Sequence, residues 1–550
     1  MGSALAKNFS LDANKIDFHI YEPCRMENGE GCPPCREIQD VERQIYEASG
    51  VAVEKLIKRR QYLKSAINEM HDPISRQLPP EIASTVFQFY IHDGSDPLWN
   101  EHEESPNPFV LGAVCRAWRE IAWSTPRLWA TLSLLFYLPV SGTKMATLVQ
   151  LAQQWLDRAG QLPLTITFRT ESGSPIEIRA MHAVLYCMID LIKQYYSRWH
   201  RLSLDVDGIL LPHFFLHLRG KCMIQMLQIG DASIHSTFDE SLFDDIDFIP
   251  SKIIMTNIRL RRMTFFWDNV TYVELCDIPL DDCLEVLCRA LKLKKYRISD
   301  ILQPGDHFPL PMSPIVHTNL EDLKIIHTIS PPYFLNWFFA NIKLPCLASL
   351  SCQLLTGDCS LSSAVFESFF DRSLCRLSNF RMATRFEDDD SVSILRKTPY
   401  LKNLDLSIHG QSSSTLNPLF QLLGRTALIA YKDSKREVFL PSLQSLKIWV
   451  QTSDLKEFGW GLVPHIFGPL SDIGVKERRP LQDLTISLRW PLNPPPEERS
   501  LSEFGSVILS QFLELRNAGI SLQLSALKED LLLPSKTGGA DMREVQVLNS

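Results

Sequence analysis

The chain has 550 residues, more than one compact core normally holds, and its 45% hydrophobic, 10% aromatic and 22% charged content is that of a folded protein. A formal charge of -8 at pH 7 supplies no global basic field for phosphate backbones, which argues against nucleic acid as the principal partner. Thirteen cysteines without a regular framework fit reduced thiols in cytosol or nucleus better than a disulfide scaffold.

Residues 1–35 read as a flexible N-terminus, with Asp12 and Asp17 interrupting any apolar core that a secretory signal would need. Within it "CRMENGEGCPPC" sets Cys24, Cys32 and Cys35 near His19, and the last two cysteines have CxxC spacing. A zinc knuckle uses such ligands but wants two close pairs, and His19 and Cys24 are poorly spaced partners. The reading is therefore free thiols in a turn, with no metal and no cofactor. Residues 36–72 form a helical, coiled-coil-like segment. Ile38, Val41, Ile45 and Ala48 make one seam, and Val53, Leu56, Leu63, Ile67 and Met70 make a second, slipped by one residue near Ser49-Gly50. Such a seam serves either self-association or packing against the chain's own domain, and its short length favours the second.

Pro73 ends that segment, and residues 73–135 form a small unit of their own. Leu78-Pro79-Pro80-Glu81-Ile82 places a fixed-φ residue and an acid at a helix start. Ile82, Val86, Phe89 and Tyr90 then share one face, with Phe87 and Ile91 beside it. An acidic loop, residues 92–107, leads to a second helix in "PFVLGAVCRAWREIAWSTPRLW", where Leu111, Val114, Trp118 and Ile121 recur at helical spacing. Two short helices and the aromatic latch of Leu128 and Trp129 make a core too small to be stable without a neighbour.

Taken together, Leu78-Pro79-Pro80-Glu81-Ile82, Val86-Phe87, Val114-Cys115-Arg116-Ala117-Trp118-Arg119, Ile121-Ala122 and Leu128-Trp129 resemble an F-box in both order and signature. The acidic loop is longer than the usual link between the first two helices of that family. The resemblance implies a substrate receptor of an SCF ubiquitin ligase, whose box binds a Skp-type adaptor and through it a cullin. Carried onto this sequence, the adaptor-binding residues are Leu78, Pro79, Pro80, Glu81, Ile82, Val86, Phe87, Val114, Cys115, Trp118, Leu128 and Trp129. Leu78, Pro79, Ile82 and Phe87 are the foremost contacts, and Trp118 is internal to the box.

Residues 136–526 carry a repeat. After a helix at 144–159, the strand-like "LPLTITF" and a helix at 176–199, a triplet of apolar residues spaced by three and two recurs ten times. It appears as Trp199-Leu202-Leu204, Ile224-Leu227-Ile229, Val270-Val273-Leu275, Leu293-Tyr296-Ile298, Leu320-Leu323-Ile325, Leu347-Leu350-Cys352, Leu377-Phe380-Met382, Leu401-Leu404-Leu406, Leu443-Leu446-Ile448 and Leu481-Leu484-Ile486. Leu260-Met263-Phe265 is a possible further copy. Several intervals match the leucine-rich period of 20–29 residues. In each copy the last two apolar positions point inward from a short strand and the residue between them faces out. Helical faces between the strands include Leu280, Leu284, Leu287, Cys288 and Leu291, then Phe334, Leu335, Trp337 and Phe338. Units this thin stack on neighbours for stability, so the expected fold class is a mixed α/β solenoid. A small all-α F-box precedes an irregular leucine-rich horseshoe, with a helical segment ahead of both. The arrangement is similar to F-box proteins of the leucine-rich class, a large set of which occurs in mushroom-forming fungi.

A helix from Ser500 and a strand at 520–524 are expected to cap the array, and residues 527–550 read as a disordered tail. The acidic stretch from Arg381 to Ser391 reads as a solvated loop. No stretch is long enough to cross a bilayer, the longest apolar run being Leu128 to Val140. No nucleotide-binding, hydrolase, zincin or kinase motif is present. His213 and His217 have i,i+4 spacing without further ligands, which favours a packed apolar segment. The expected function is non-catalytic: a box that holds a Skp-type adaptor and repeats that hold an unknown protein substrate, in cytosol or nucleus. The alternative is a leucine-rich scaffold that acts outside ubiquitination.

Overall fold

A computed structural model describes residues 32–47, 51–72, 74, 77–91, 107–137, 142–171, 175–232, 241–243, 246–305, 307–328, 333–354, 362–384, 390–408, 416–427, 438–451, 458–468, 478–489, 506–526 and 529–530. The expected flexible N-terminus up to residue 31, most of the acidic loop, residues 385–389 and nearly all of the tail lie outside the described residues. Two compact units are present, residues 1–258 with 262–266 and residues 259–261 with 267–550. Both are mixed α/β, and parallel strands pair in each of them.

The first unit opens with helices α1, Pro33–Glu47, and α2, Val51–His71. The slip near Ser49-Gly50 thus separates two helices. Ile38, Val41 and Ile45 of α1 bury against Leu63 of α2, with Leu56, Ile57 and Ile67 packed alongside. The two seams cover each other within one chain.

Helix α3, Pro80–Ile91, starts on the carbonyl of Pro79, which accepts from the amides of Ile82 and Ala83 at 3.0 Å each. Its two prolines sit where amide donors are not needed, and Glu81 meets the positive end of the helix. Instead of one second helix there are two, α4, Pro108–Val114, and α5, Arg116–Trp123. The break is at Cys115, whose backbone is extended and whose buried sulfur accepts from the Trp118 amide at 3.5 Å. Cys115 therefore caps α5. Asn107 caps α4 in the same way, its Oδ1 accepting from Phe109.

A turn at Pro126–Trp129 feeds directly into β1, Thr131–Tyr137. Then come α6, Gly142–Arg158, β2, Leu164–Glu171, α7, Pro175–Lys193, β3, Trp199–Val206, β4, Met226–Asp231, and β5, Lys252–Thr256. These five strands pair in chain order, all parallel. Leu132 and Leu134 face Ile166 and Phe168, which face Leu202 and Leu204, then Leu227 and Ile229, then Ile253 and Met255. All ten side chains are buried. Three of these strands were not among the ten copies read from the sequence. Trp129-Leu132-Leu134 does fit the spacing, whereas Pro163 and Pro250 stand in the first position before β2 and β5.

No structural boundary falls at residue 135, because the front helices and the first strands share aromatic side chains. Trp129 lies 5.1 Å from Trp155 of α6 and 5.2 Å from Phe109 of α4, ring centre to ring centre. Its indole N–H donates to the Ala122 carbonyl at 2.8 Å.

The second unit contains β6, Tyr272–Pro279, α8, Leu280–Arg289, β7, Lys295–Leu302, β8, Asp322–His327, α9, Tyr333–Ala340, and β9, Ser349–Leu354. It continues with α10, Ser363–Ser373, β10, Asn379–Thr384, α11, Asp390–Arg396, β11, Asn403–Ile408, α12, Asn417–Arg425, and β12, Ser445–Gln451. Last come β13, Asp483–Arg489, α13, Ser506–Asn517, and β14, Ser521–Ala526. The strands again pair in chain order and parallel, until β14 meets the short antiparallel strand Glu529–Asp530. Two rows of side chains line the inner face. One runs Val273, Tyr296, Leu323, Leu350, Phe380, Leu404, Leu446, Leu484, and the other Leu275, Ile298, Ile325, Cys352, Met382, Leu406, Ile448, Ile486. Every one is buried, and these are the second and third positions of the eight triplets assigned here from sequence.

Some details differ from the sequence reading. Leu260-Met263-Phe265 is not a strand, and Leu260–Arg262 forms a single helical turn. On the covering helices Leu284, Leu287, Leu335 and Phe338 are buried, but Cys288 and Trp337 face outward, beyond the width of the buried stripe, and Leu291 lies past the end of α8 and is exposed. Several buried polar groups are bonded to the main chain. Arg479 donates to the carbonyls of Leu423, Thr426, Phe439, Leu440 and Ile466 and to Thr426 Oγ1. Asp282 accepts from the Leu260 amide at 3.0 Å, and Asp281 from the amides of Gly305 and Phe308. Among the described residues no helix is long and apolar enough to cross a membrane.

Candidate functional site

Two surfaces stand out, one in each unit. In the first unit, α3 has one face inside and one outside. Ala83 and Phe87 are buried, and the Phe87 ring lies 4.7 Å from that of Trp118. On the adjoining face Ile82, Val86, Phe89 and Tyr90 are 50, 39, 72 and 50% exposed. Their i, i+4, i+7, i+8 spacing makes one stripe. Isolated exposed apolar residues are ordinary, but four large ones on three turns of one helix form a patch of the kind that meets another molecule.

Trp118 holds the buried side in register. Its indole N–H donates to Asp72 Oδ2 at 2.6 Å, and Asp72 Oδ1 accepts from the Ile74 amide at 2.9 Å. Asp72 thus joins the end of α2 to α5, and the carboxylate makes these bonds stronger than neutral ones. Nothing near Asp72 in the sequence signals this, since its partner lies 46 positions away.

The twelve residues expected to meet an adaptor separate into two groups. Pro79, Pro80, Glu81, Ile82 and Val86 are exposed, and Leu78, Val114 and Trp118 are half-buried. Phe87, Cys115, Leu128 and Trp129 are buried at 1% exposure or less. This corrects Phe87 as a foremost contact: it fills the unit's own interior, as do the cap at Cys115 and the latch of Leu128 and Trp129. Trp118 is internal only in part. Phe89 and Tyr90 were outside the expected set, although their helical spacing places them on one face with Ile82 and Val86.

In the second unit, the residues between the inward rows form an outer row along the strands. It reads Glu274, Arg297, Lys324, Ser351, Arg381, Asp405, Lys447, Thr485. Around its middle lies a shallow cavity of about 370 Å³ lined by Lys324, Ser351, Gln353, Asn379, Arg381, Asp405 and Lys447, among others. Asn403 donates to Asn379 Oδ1 at 2.6 Å, and Arg381 Nε lies 3.4 Å from Asp405 Oδ2. Burial pushes the Asp405 carboxyl up, against the pull of Arg381 and Lys447. Three cations against one acid make this face locally basic on a chain whose net charge is negative. A polar, hydrogen-bonding surface of this type suits a peptide or a protein loop more than a small apolar ligand.

Four thiols are unsuited to nucleophilic chemistry. Burial raises Cys222 and Cys375 to about 11 and Cys276 and Cys352 to about 12, so each is protonated at neutral pH. His213 and His217 do not share a helix face, because the helix Leu211–Phe215 ends between them and His217 has φ 65°. The His213 ring instead lies 4.0 Å from that of Tyr186.

Cys32 and Cys35 are not in a turn. Cys32 directly precedes α1 and Cys35 lies in its first turn, and both sulfurs approach His71 Nε2, at 3.3 and 3.8 Å. His19 and Cys24 lie outside the described residues. His71 is the donor that sequence spacing missed, because only the pairing of the two helical seams returns residue 71 to residue 32. No family model matches the chain, and no curated protein matches it.

Proposed function

We propose that the chain is a non-catalytic substrate receptor of an SCF-type ubiquitin ligase, in which the front helical unit is an F-box. The exposed stripe Ile82, Val86, Phe89, Tyr90 carries this reading, together with the "LPPEI", "VCRAWREIA" and "LW" segments in that order. Such a stripe costs free energy in water that a helix-rich adaptor recovers on binding, at about 25 cal/mol per Å² of apolar surface covered. The parallel strands and their covering helices act as an irregular leucine-rich array. Its outer row, centred on Lys324, Arg381, Asp405 and Lys447, takes a protein substrate. The receptor contributes proximity, and the transfer chemistry belongs to the other subunits.

Affinity capture of the full chain from cells, with and without proteasome inhibition, tests the proposal. The expected result is co-purification of a Skp-type adaptor with a cullin, plus proteins that accumulate only when the proteasome is blocked. Capture of the adaptor without a cullin would favour a scaffold outside ubiquitination, and capture of neither would overturn the reading.

A further inference from the structure

The α1–α2 hairpin brings together three soft donors that sequence order keeps 36 and 39 positions apart. We propose that Cys32, Cys35 and His71 form a zinc site that pins the start of α1 to the end of α2, with a fourth donor completing the tetrahedron.

The geometry fits this ion. Zn–S of about 2.3 Å and Zn–N of about 2.0 Å in a tetrahedron separate sulfur from nitrogen by about 3.5 Å. The two observed separations, 3.3 and 3.8 Å, bracket that value. All three donor atoms lie within 4.8 Å of one another. Two thiolates and an imidazole are a borderline-soft set that suits zinc and not calcium or magnesium, which take oxygen ligands. Cys32 and Cys35 are 2 and 8% exposed, whereas His71 is exposed, so the site is walled by protein on the sulfur side and open on the imidazole side. That leaves room for the fourth donor.

The pin has a structural consequence. Asp72, the neighbour of His71, is the acceptor for Trp118 and thereby positions Phe87 and the inner face of α3. Fixing His71 fixes the Asp72 carboxylate. Metal binding at the hairpin is thus linked to order in the helix that presents Ile82, Val86, Phe89 and Tyr90. Chelators break the link.

The test uses the full chain purified under reducing conditions. Elemental analysis should find about one zinc per chain, as a single site requires. Cobalt exchange should give the intense near-ultraviolet thiolate-to-metal band and the visible bands of a tetrahedral ion. Cys32→Ser with Cys35→Ser, and separately His71→Asn, should abolish retention, whereas Cys187→Ser and Cys346→Ser, at exposed cysteines elsewhere, should not. Should the site variants fail to fold, the wild-type chain decides: a chelator should lower its melting temperature and added zinc should restore it. A cobalt-saturated chain without a thiolate band would overturn the site. So would zinc retained by the Cys32, Cys35 and His71 variants, or a metal-free chain with a Cys32–Cys35 disulfide. Adaptor capture is not a readout here, so failure of this site leaves the receptor reading standing.

Discussion

The front helical unit and the strand array of the second unit solve the same problem, burial of apolar surface, in opposite ways. The front unit concentrates its core in a few large rings, Phe87, Phe109, Trp118 and Trp129, and leaves a large apolar stripe uncovered. The array spreads its core over repeated rungs, mostly of Leu and Ile with Tyr296, Phe380 and Met382 among them, each covered by the next, and exposes a mainly polar row. A core of few large parts is sensitive to the loss of any one of them. It also explains why the open face belongs to the small unit: four or five short helices lack the surface to cover both sides of α3.

Trp129→Ala strikes this contrast hardest. Its indole is fully buried and bonded, so the substitution should cost about 3 to 5 kcal/mol and unfold the front helices, as read by thermal melting and adaptor capture. Trp118→Ala should cost less, about 2 kcal/mol, since the ring is half-buried and much of its contribution is the bond to Asp72. In the array the comparable vulnerability is a charge. Arg479→Met should cost about 3 kcal/mol by leaving buried carbonyls unsatisfied, measured by chemical denaturation of the full chain. A melt unchanged by this variant would show that the array tolerates the loss of its largest polar staple.

The exposed stripe gives the converse prediction. Phe89→Asp, or Leu78→Ala with Pro79→Ala, should leave the melting temperature unchanged while weakening adaptor capture by about 2 kcal/mol, on the order of thirtyfold. Equal capture by both variants would place the adaptor elsewhere. The smallest expected effect is on pH dependence. Burial lowers the pKa of His327 below 6.5, although Asp300 at 3.6 Å opposes the shift. A depressed folded pKa gives stability that is present above the unfolded value and lost as pH falls through the folded one. Denaturation of the second unit should therefore become easier below about pH 6.5. The slope should flatten in His327→Gln, in denaturant titrations at several pH values.

Much of the array was legible because its signal is periodic. A triplet that recurs in register specifies inward positions without knowledge of any partner strand, and Leu404 and Leu406 or Leu446 and Ile448 sit where the spacing placed them. Strands preceded by proline, β2 and β5, do not carry the triplet, because their first position does not read as apolar, although "LPLTITF" at β2 reads as a strand on its own. In the front unit, helical spacing identified both faces of α3 but not which one the chain covers. The contact expected at Phe87 came from the family resemblance, and its packing on Trp118 shows that the ring faces inward.

The amino-acid order by itself determined most strands of the second unit and the direction in which their side chains point, because those depend on neighbours within a few residues. Tertiary structure alone decided the pairings of Cys32 and Cys35 with His71, of Trp118 with Asp72, and of Arg479 with six acceptors. Each joins groups well separated in the chain, and no local spacing encodes a contact that forms only when whole elements pack.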